Sequence, residues 1–169
     1  MPRLFQENEV LLQEGISLLE NLPAEIYTLK PNDQPSSPGE HFRHIIEHYQ
    51  MFLKGMKTGQ IDYDRRERNS AIETSSILAI ELLQAIQLEL QSNEIPFGPI
   101  LVSQNYNPEY PKPMIPSSVE RELLFLSSHT VHHYAIIAMV LKESNIAVSK
   151  SFGYSQATLY AKEQMQSKT

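Results

Sequence analysis

Cysteine is absent from all 169 residues. That excludes disulfides, thiolate metal sites and cysteine nucleophiles, so any thiol chemistry must use a thiol brought by a substrate. A basic footprint is lacking as well: 14 Lys and Arg stand against 20 Asp and Glu, for a formal charge of −6. Phosphate-backbone binders carry the opposite balance, so no nucleic-acid partner is expected. The one basic cluster, Arg65, Arg66 and Arg68, is interleaved with Asp62, Asp64 and Glu67 and forms no patch of one sign. No apolar run approaches the ~20 residues of a membrane span. The first residues show no charged start followed by an apolar stretch. The expectation is a soluble cytoplasmic protein with no membrane partner. A Gly-rich phosphate loop and a Gly-x-Ser-x-Gly elbow are also missing, which leaves nucleotide folds and serine-triad hydrolysis without support.

What the chain does have is a concentration of histidine. All 6 fall in two short windows, His41, His44 and His48 in the first and His129, His132 and His133 in the second. Both windows read as amphipathic helices. At about 100° per residue the first three share one stripe, and His129 and His133 share another. A single histidine on an apolar helix face is commonly a core residue bonded to a neighbour, but two stripes on separate helices can meet. Imidazole is the commonest protein ligand for divalent transition metals, and an i, i+4 pair plus a third residue gives a three-nitrogen face with an open position.

The length suits one domain spanning residues 1–169. Four long helical patterns run along it. The first covers about residues 4–19, followed by a short turn through 24–29 after Asn21-Leu22-Pro23. A turn-rich loop over 31–39 leads into the second helix, with Ser37 as N-cap, Pro38 at the first helical position and Glu40 in the first turn. That helix runs to about Lys57, and Gly59 stops it. The third covers about residues 70–91. Six prolines between Ser92 and Ser117 exclude a continuous helix there. Ile100-Leu101-Val102-Ser103-Gln104 reads instead as a short strand able to pair with Pro113-Met114-Ile115 around a turn at 105–110. Ser117 or Ser118 caps the fourth helix, over about 120–144, and a short last helix opens at Ser155. So long a crossover lets the third and fourth helices avoid a tight antiparallel hairpin.

Ser37-Pro38-Gly39-Glu40-His41-Phe42-Arg43-His44-Ile45, followed much later by His129-Thr130-Val131-His132-His133-Tyr134, resembles the DinB/YfiT-like superfamily of four-helix-bundle metalloproteins. The resemblance spans most of the chain. In that family a histidine in a Ser-x-Gly-x-x-x-x-His context and a His-x-x-x-His pair on the fourth helix bind a divalent metal, which implies His44, His129 and His133 here. It also implies a helix order unlike the simple up-down bundle, with a long crossover.

The residues themselves point the same way without closing the question. His129 and His133 both face inward if Leu126, Ile136, Ile137 and Val140 are core, whereas His132 is rotated off that stripe. His44 lies between His41 and His48, which then serve as substrate contacts or support. Either of those two can also replace His44 or add a fourth ligand that closes the site. Ferritin-like di-iron centres need Glu-x-x-His pairs, and none occurs here. Glu122 lies seven residues before His129 on nearly the same stripe and is a candidate proton carrier. Arg65, in the loop after the second helix, is a candidate to hold a substrate carboxylate.

The sequence therefore predicts an all-α four-helix bundle with a long Pro-rich crossover, carrying a short hairpin, before the fourth helix and a short C-terminal helix. The expected cofactor is a divalent metal, zinc, nickel or iron. The expected activity is transfer or activation of a low-molecular-weight thiol, which the family resemblance favours. Metal-dependent hydrolysis and a non-catalytic metal-binding role are the alternatives, and a homodimer is allowed.

Overall fold

The structure is a computed structural model that describes residues 3–30, 35–92, 97–103, 107 and 109–166. The first four residues of the turn-rich loop at 31–39 and half of the turn expected at 105–110 lie outside the described residues, as do Gln104 and Pro96. Helices dominate: α1 (Arg3–Leu19), α2 (Ala24–Tyr27), α3 (Pro38–Thr58), α4 (Ser70–Thr74), α5 (Ser76–Gln91), α6 (Val119–Glu143) and α7 (Gln156–Gln166).

The expectation of an all-α protein needs correcting, because β1 (Gln60–Asp62), β2 (Pro99–Ser103) and β3 (Met114–Ser118) form a small mixed sheet in that order. The antiparallel pair β2 and β3, with Val102 opposite Ile115, is the hairpin foreseen in the crossover. The parallel partner β1, with Ile61 opposite Val102, was not foreseen. It is made possible at Gly59, whose φ of 75° ends α3 in the left-handed region and whose carbonyl accepts from the Leu101 N–H at 3.1 Å.

The start of α3 is fixed locally. The Ser37 hydroxyl accepts from the Glu40 N–H, and the Glu40 carboxylate accepts from the Ser37 N–H at 2.7 Å, a reciprocal cap that satisfies two otherwise orphaned donors. The third helix is not one piece, contrary to the sequence reading. Ser75 takes an extended conformation and its hydroxyl accepts from the Leu78 N–H, so a new helix begins there. The side-chain oxygen offers the backbone an alternative to continuing the helix. The break lets α4 lie across the start of α3, where the Tyr27 hydroxyl donates to the Ile72 carbonyl at 2.6 Å.

Helix α1 packs against α5 and α6, and α3 packs against the same two. Among the described residues α5 and α6, on either side of the crossover, are not a principal packing pair. The shared core includes Leu12, Ile16, Phe42, Ile45, Tyr49, Phe52, Leu83, Ile86, Leu123, Leu126, Tyr134 and Ile137. Polar ties run through it. The Tyr49 hydroxyl donates to Asn8 Oδ1 at 2.7 Å, and Asn8 Nδ2 donates to the carbonyls of Leu4 and Leu123, joining α1, α3 and α6. By length and composition α6 reaches the span of a membrane, with a mean hydropathy of 1.3 over 18 residues, which corrects the expectation that no stretch would. Its buried residues Leu123, Leu126, Thr130, Tyr134, Ile137 and Leu141 repeat at helical spacing and pack on α1 and α3, the pattern of a helix with one buried face.

Candidate metal centre

The residues that bury α3 are Phe42, Ile45, Tyr49 and Phe52, and those that bury α6 are Leu126, Thr130, Tyr134 and Ile137. The histidines sit one step round from each buried stripe, so the contact of α3 with α6 brings the two sets face to face at the margin of the core.

They form a row. His41 Nδ1 lies 2.9 Å from His133 Nδ1, His133 Nε2 lies 3.1 Å from His129 Nε2, and His129 Nε2 lies 3.2 Å from His44 Nε2. The His44 and His133 rings are 4.6 Å apart. The His48 ring follows, 4.3 Å from His44 and 4.2 Å from His129. The potential ligand atoms of His44, His48 and His129 all lie within 4.8 Å of one another. His44 and His129 thus occupy the centre, with His133 and His48 on opposite flanks. His132 is exposed, its ring edge-on to His133 at 5.2 Å.

Burial and crowding keep these rings neutral. His44 is pushed down to about 2, first by burial and then by the neighbouring imidazoles. Burial leads for the others too, lowering His48 and His133 to about 3 and His129 to about 4, and His41 also falls. A neutral imidazole carries a free lone pair, the state a metal requires. The spacings of His129 Nε2 from His44 Nε2, 3.2 Å, and from His133 Nε2, 3.1 Å, match ~2.1 Å bonds to one shared ion. The donor set therefore fits a divalent cation.

The other expected residues are placed differently. Arg65 turns its side chain to solvent, 82% exposed, with Nε 3.3 Å from Asp62 Oδ2. Its neighbour Arg66 reaches the histidines instead, with Nη1 3.3 Å from His48 Nε2. Arg66 Nη1 also donates to the Tyr63 carbonyl, and its Nε lies 3.8 Å from Glu47 Oε2. Glu47 is buried, accepting from the Asn69 N–H at 2.8 Å and from Arg43 Nη1 at 3.0 Å.

Glu122 is buried rather than solvated. It accepts from the Tyr63 hydroxyl at 2.9 Å and the Ser117 hydroxyl at 2.6 Å. Its link to the histidines runs through Tyr63, whose ring stacks on His48 at 5.4 Å, while Phe125 stacks on His129 at 5.4 Å. A cavity of about 200 Å³ lies against Tyr63, Phe125 and Glu122. Tyr63, Phe125 and the particular role of Arg66 were missed by sequence reasoning. The Tyr63-Asp64-Arg65-Arg66 segment has no helical or strand period, and only the run of charge drew attention to it.

The chain is 28% identical over 152 residues to a protein named FK506-binding protein 5 from Rhizopus delemar. That alignment takes in 88% of this chain and only 35% of the relative, so the chain spans about a third of that protein's length. No solved structure matches. The family model of the DinB superfamily matches residues 11–137, a stretch holding every histidine of the centre. The chain belongs to the DinB superfamily.

Proposed function

We propose that the chain is a divalent-metal-dependent enzyme acting on a low-molecular-weight thiol, with the ion held by His44, His129 and His133 on a four-helix bundle made by α1, α3, α5 and α6. The observation that carries this is the meeting of ring nitrogens from α3 and α6 in a centre that, among the described residues, is made of histidines. When bound there, the cation supplies Lewis acidity that shifts a thiol or a water toward its anion, and three neutral imidazoles leave its positive charge undiminished.

The chain's own residues do the rest. Ligation by His133 through Nε2 requires its proton on Nδ1, and His41 Nδ1, 2.9 Å away, is the acceptor that fixes this tautomer. The Tyr63 and Phe125 rings wall one side and limit water beside His48 and His129. Because the chain has no cysteine, no side-chain thiol competes with a substrate thiol for the site.

Elemental analysis of the untagged protein should give one divalent ion per chain, lost in His129→Ala. The cobalt-substituted protein, titrated with glutathione, bacillithiol or cysteine, should develop a sulfur-to-cobalt charge-transfer band and transfer the thiol to a chromogenic electrophile. A metal-loaded protein that binds none of these thiols overturns the thiol assignment and leaves hydrolysis or a non-catalytic role.

A further inference from the structure

Two overlapping imidazole triads are built around His44 and His129, one completed by His133 and the other by His48. The hydrogen bonds separate them. His48 Nδ1 lies 2.7 Å from the His44 carbonyl oxygen. A carbonyl only accepts, so that nitrogen holds the proton and the lone pair of His48 sits on Nε2. Facing it at 3.3 Å is Nη1 of Arg66, a guanidinium that donates and never accepts. A lone pair engaged by this donor is not offered to a cation, and a divalent ion drawn to His48 would meet a like charge.

Arg66 is held in that position. Its side chain is 15% exposed, its Nη1 also serves the Tyr63 carbonyl, and its Nε faces the buried Glu47 carboxylate. Glu47 is in turn fixed by the Asn69 N–H and by Arg43. On the other flank, among the described residues no arginine is bonded to the His133 ring; its Nδ1 is paired with His41, and Nε2 is directed at His129.

We propose that Arg66 is a positioning residue that withholds His48 from the metal, so that His44, His129 and His133 hold the ion and a coordination position stays exchangeable. The inference rests on reading the centre as a metal site. Its chemical consequence is the difference between a closed four-imidazole site, the structural type, and an open three-imidazole site, the catalytic type.

X-ray absorption of the zinc-loaded full chain counts the imidazoles on the ion. Three are expected in the unaltered protein and in His48→Gln, four in Arg66→Met, and three again in Arg66→Met/His48→Gln. Zinc affinity should rise about tenfold in Arg66→Met, the scale on which groups behind the ligands act, and return in the double variant. Loss of an imidazole in His48→Gln with Arg66 intact would overturn the proposal, as would an unchanged count in folded Arg66→Met. Should Arg66→Met fail to fold, comparison of His48→Gln with His133→Gln decides alone: the first is expected to keep zinc and the second to lose it. A chain that takes up no zinc in any helical variant overturns the metal reading itself along with the role of Arg66.

Discussion

The hydroxyl of Tyr63 donates to Oε2 of Glu122 at 2.9 Å, and this bond joins the turn after β1 to the first turns of α6 beneath the ring that stacks on His48. The other oxygen of Glu122 accepts from Ser117 at 2.6 Å, so one buried carboxylate ties β3, α6 and the wall of the histidine cluster together. Burial and the negative charge of Glu122 together push the Tyr63 hydroxyl far above its ordinary range, which keeps it a donor.

Glu122→Ala leaves two hydroxyls without their acceptor. Unmade buried hydrogen bonds cost about 1 to 3 kcal/mol each, so a loss of about 3 kcal/mol is expected, or roughly 10 °C in Tm for a chain of this size. Glu122→Gln keeps one carbonyl acceptor and should lose about half as much. Thermal melts of the metal-free protein check both. A Tm that hardly moves in Glu122→Gln while thiol transfer disappears would return Glu122 to the part of proton carrier.

His41→Phe keeps an aromatic ring against His133 but removes the nitrogen 2.9 Å from its Nδ1. With the tautomer no longer fixed, zinc affinity should fall by about 10- to 100-fold. His132→Ala, at an exposed position, should leave affinity unchanged. Competition with a chromogenic chelator reads both, and equal losses in the two variants would deny His41 its orienting part.

Much of this was legible where chemistry is local. Ser37-Pro38-Gly39-Glu40 announces the start of α3 because both halves of its cap lie within four residues, and Gly59 announces the end because only the left-handed region is needed there. The spacing of the histidines placed them on two stripes for the same reason. The sheet was half legible: β2 and β3 are neighbours in sequence, whereas β1 is three residues long and its partner lies 41 residues on. The break at Ser75 was hidden by an apolar pattern that continues across it, although the serine hydroxyl decides the matter. Arg65 and Arg66 could not be separated in a segment without period. Their orientation follows from the burial of Tyr63, a tertiary outcome, which decides which way the local turn capped by the Asp62 carboxylate on the Asp64 N–H faces.

Gly15 lets α1 approach α6 closely. A methyl group there would press on the hydroxyl and ring of Tyr134 and come within 3.2 Å of Phe42, while the Tyr134 hydroxyl donates to the Leu11 carbonyl at 2.9 Å. Gly15→Ala should therefore destabilise by about 2 kcal/mol, overpacking and a strained buried bond outweighing the ~1 kcal/mol gain in helix propensity. In a Tyr134→Phe background the same substitution should cost measurably less, because the hydroxyl it displaces is gone. Urea denaturation of the four proteins gives the coupling, and strict additivity would show that Gly15 is not held small by Tyr134.

The neutral histidines also set how the metal-free protein responds to acid. In the unfolded chain they titrate near the ordinary 6.5, but in the fold His129 resists protonation to about 4, His48 and His133 to about 3 and His44 to about 2. Between those values and 6.5 the unfolded chain binds more protons than the folded one, so stability rises with pH across that window. The sign is therefore fixed: stability is fully present well above pH 6.5 and drains away as pH falls through that value toward 4. Carboxylates take little part above pH 5, so the interval from 6.5 to 5 isolates the histidines. Urea midpoints of the metal-free protein at pH 7.5, 6.5, 5.8 and 5.0 should slip over the first step, because histidines of the unfolded chain are half protonated at 6.5, and decline more steeply over the next two. His44→Gln/His133→Gln should flatten that decline by removing two of the resisting groups. Saturating zinc should raise the midpoint at pH 7.5 and steepen the loss on acidification, because an ion that binds only the folded state adds stability that protons must displace. A midpoint that stays level down to pH 5 without metal would mean that the histidines are as free to take up protons in the fold as in the unfolded chain.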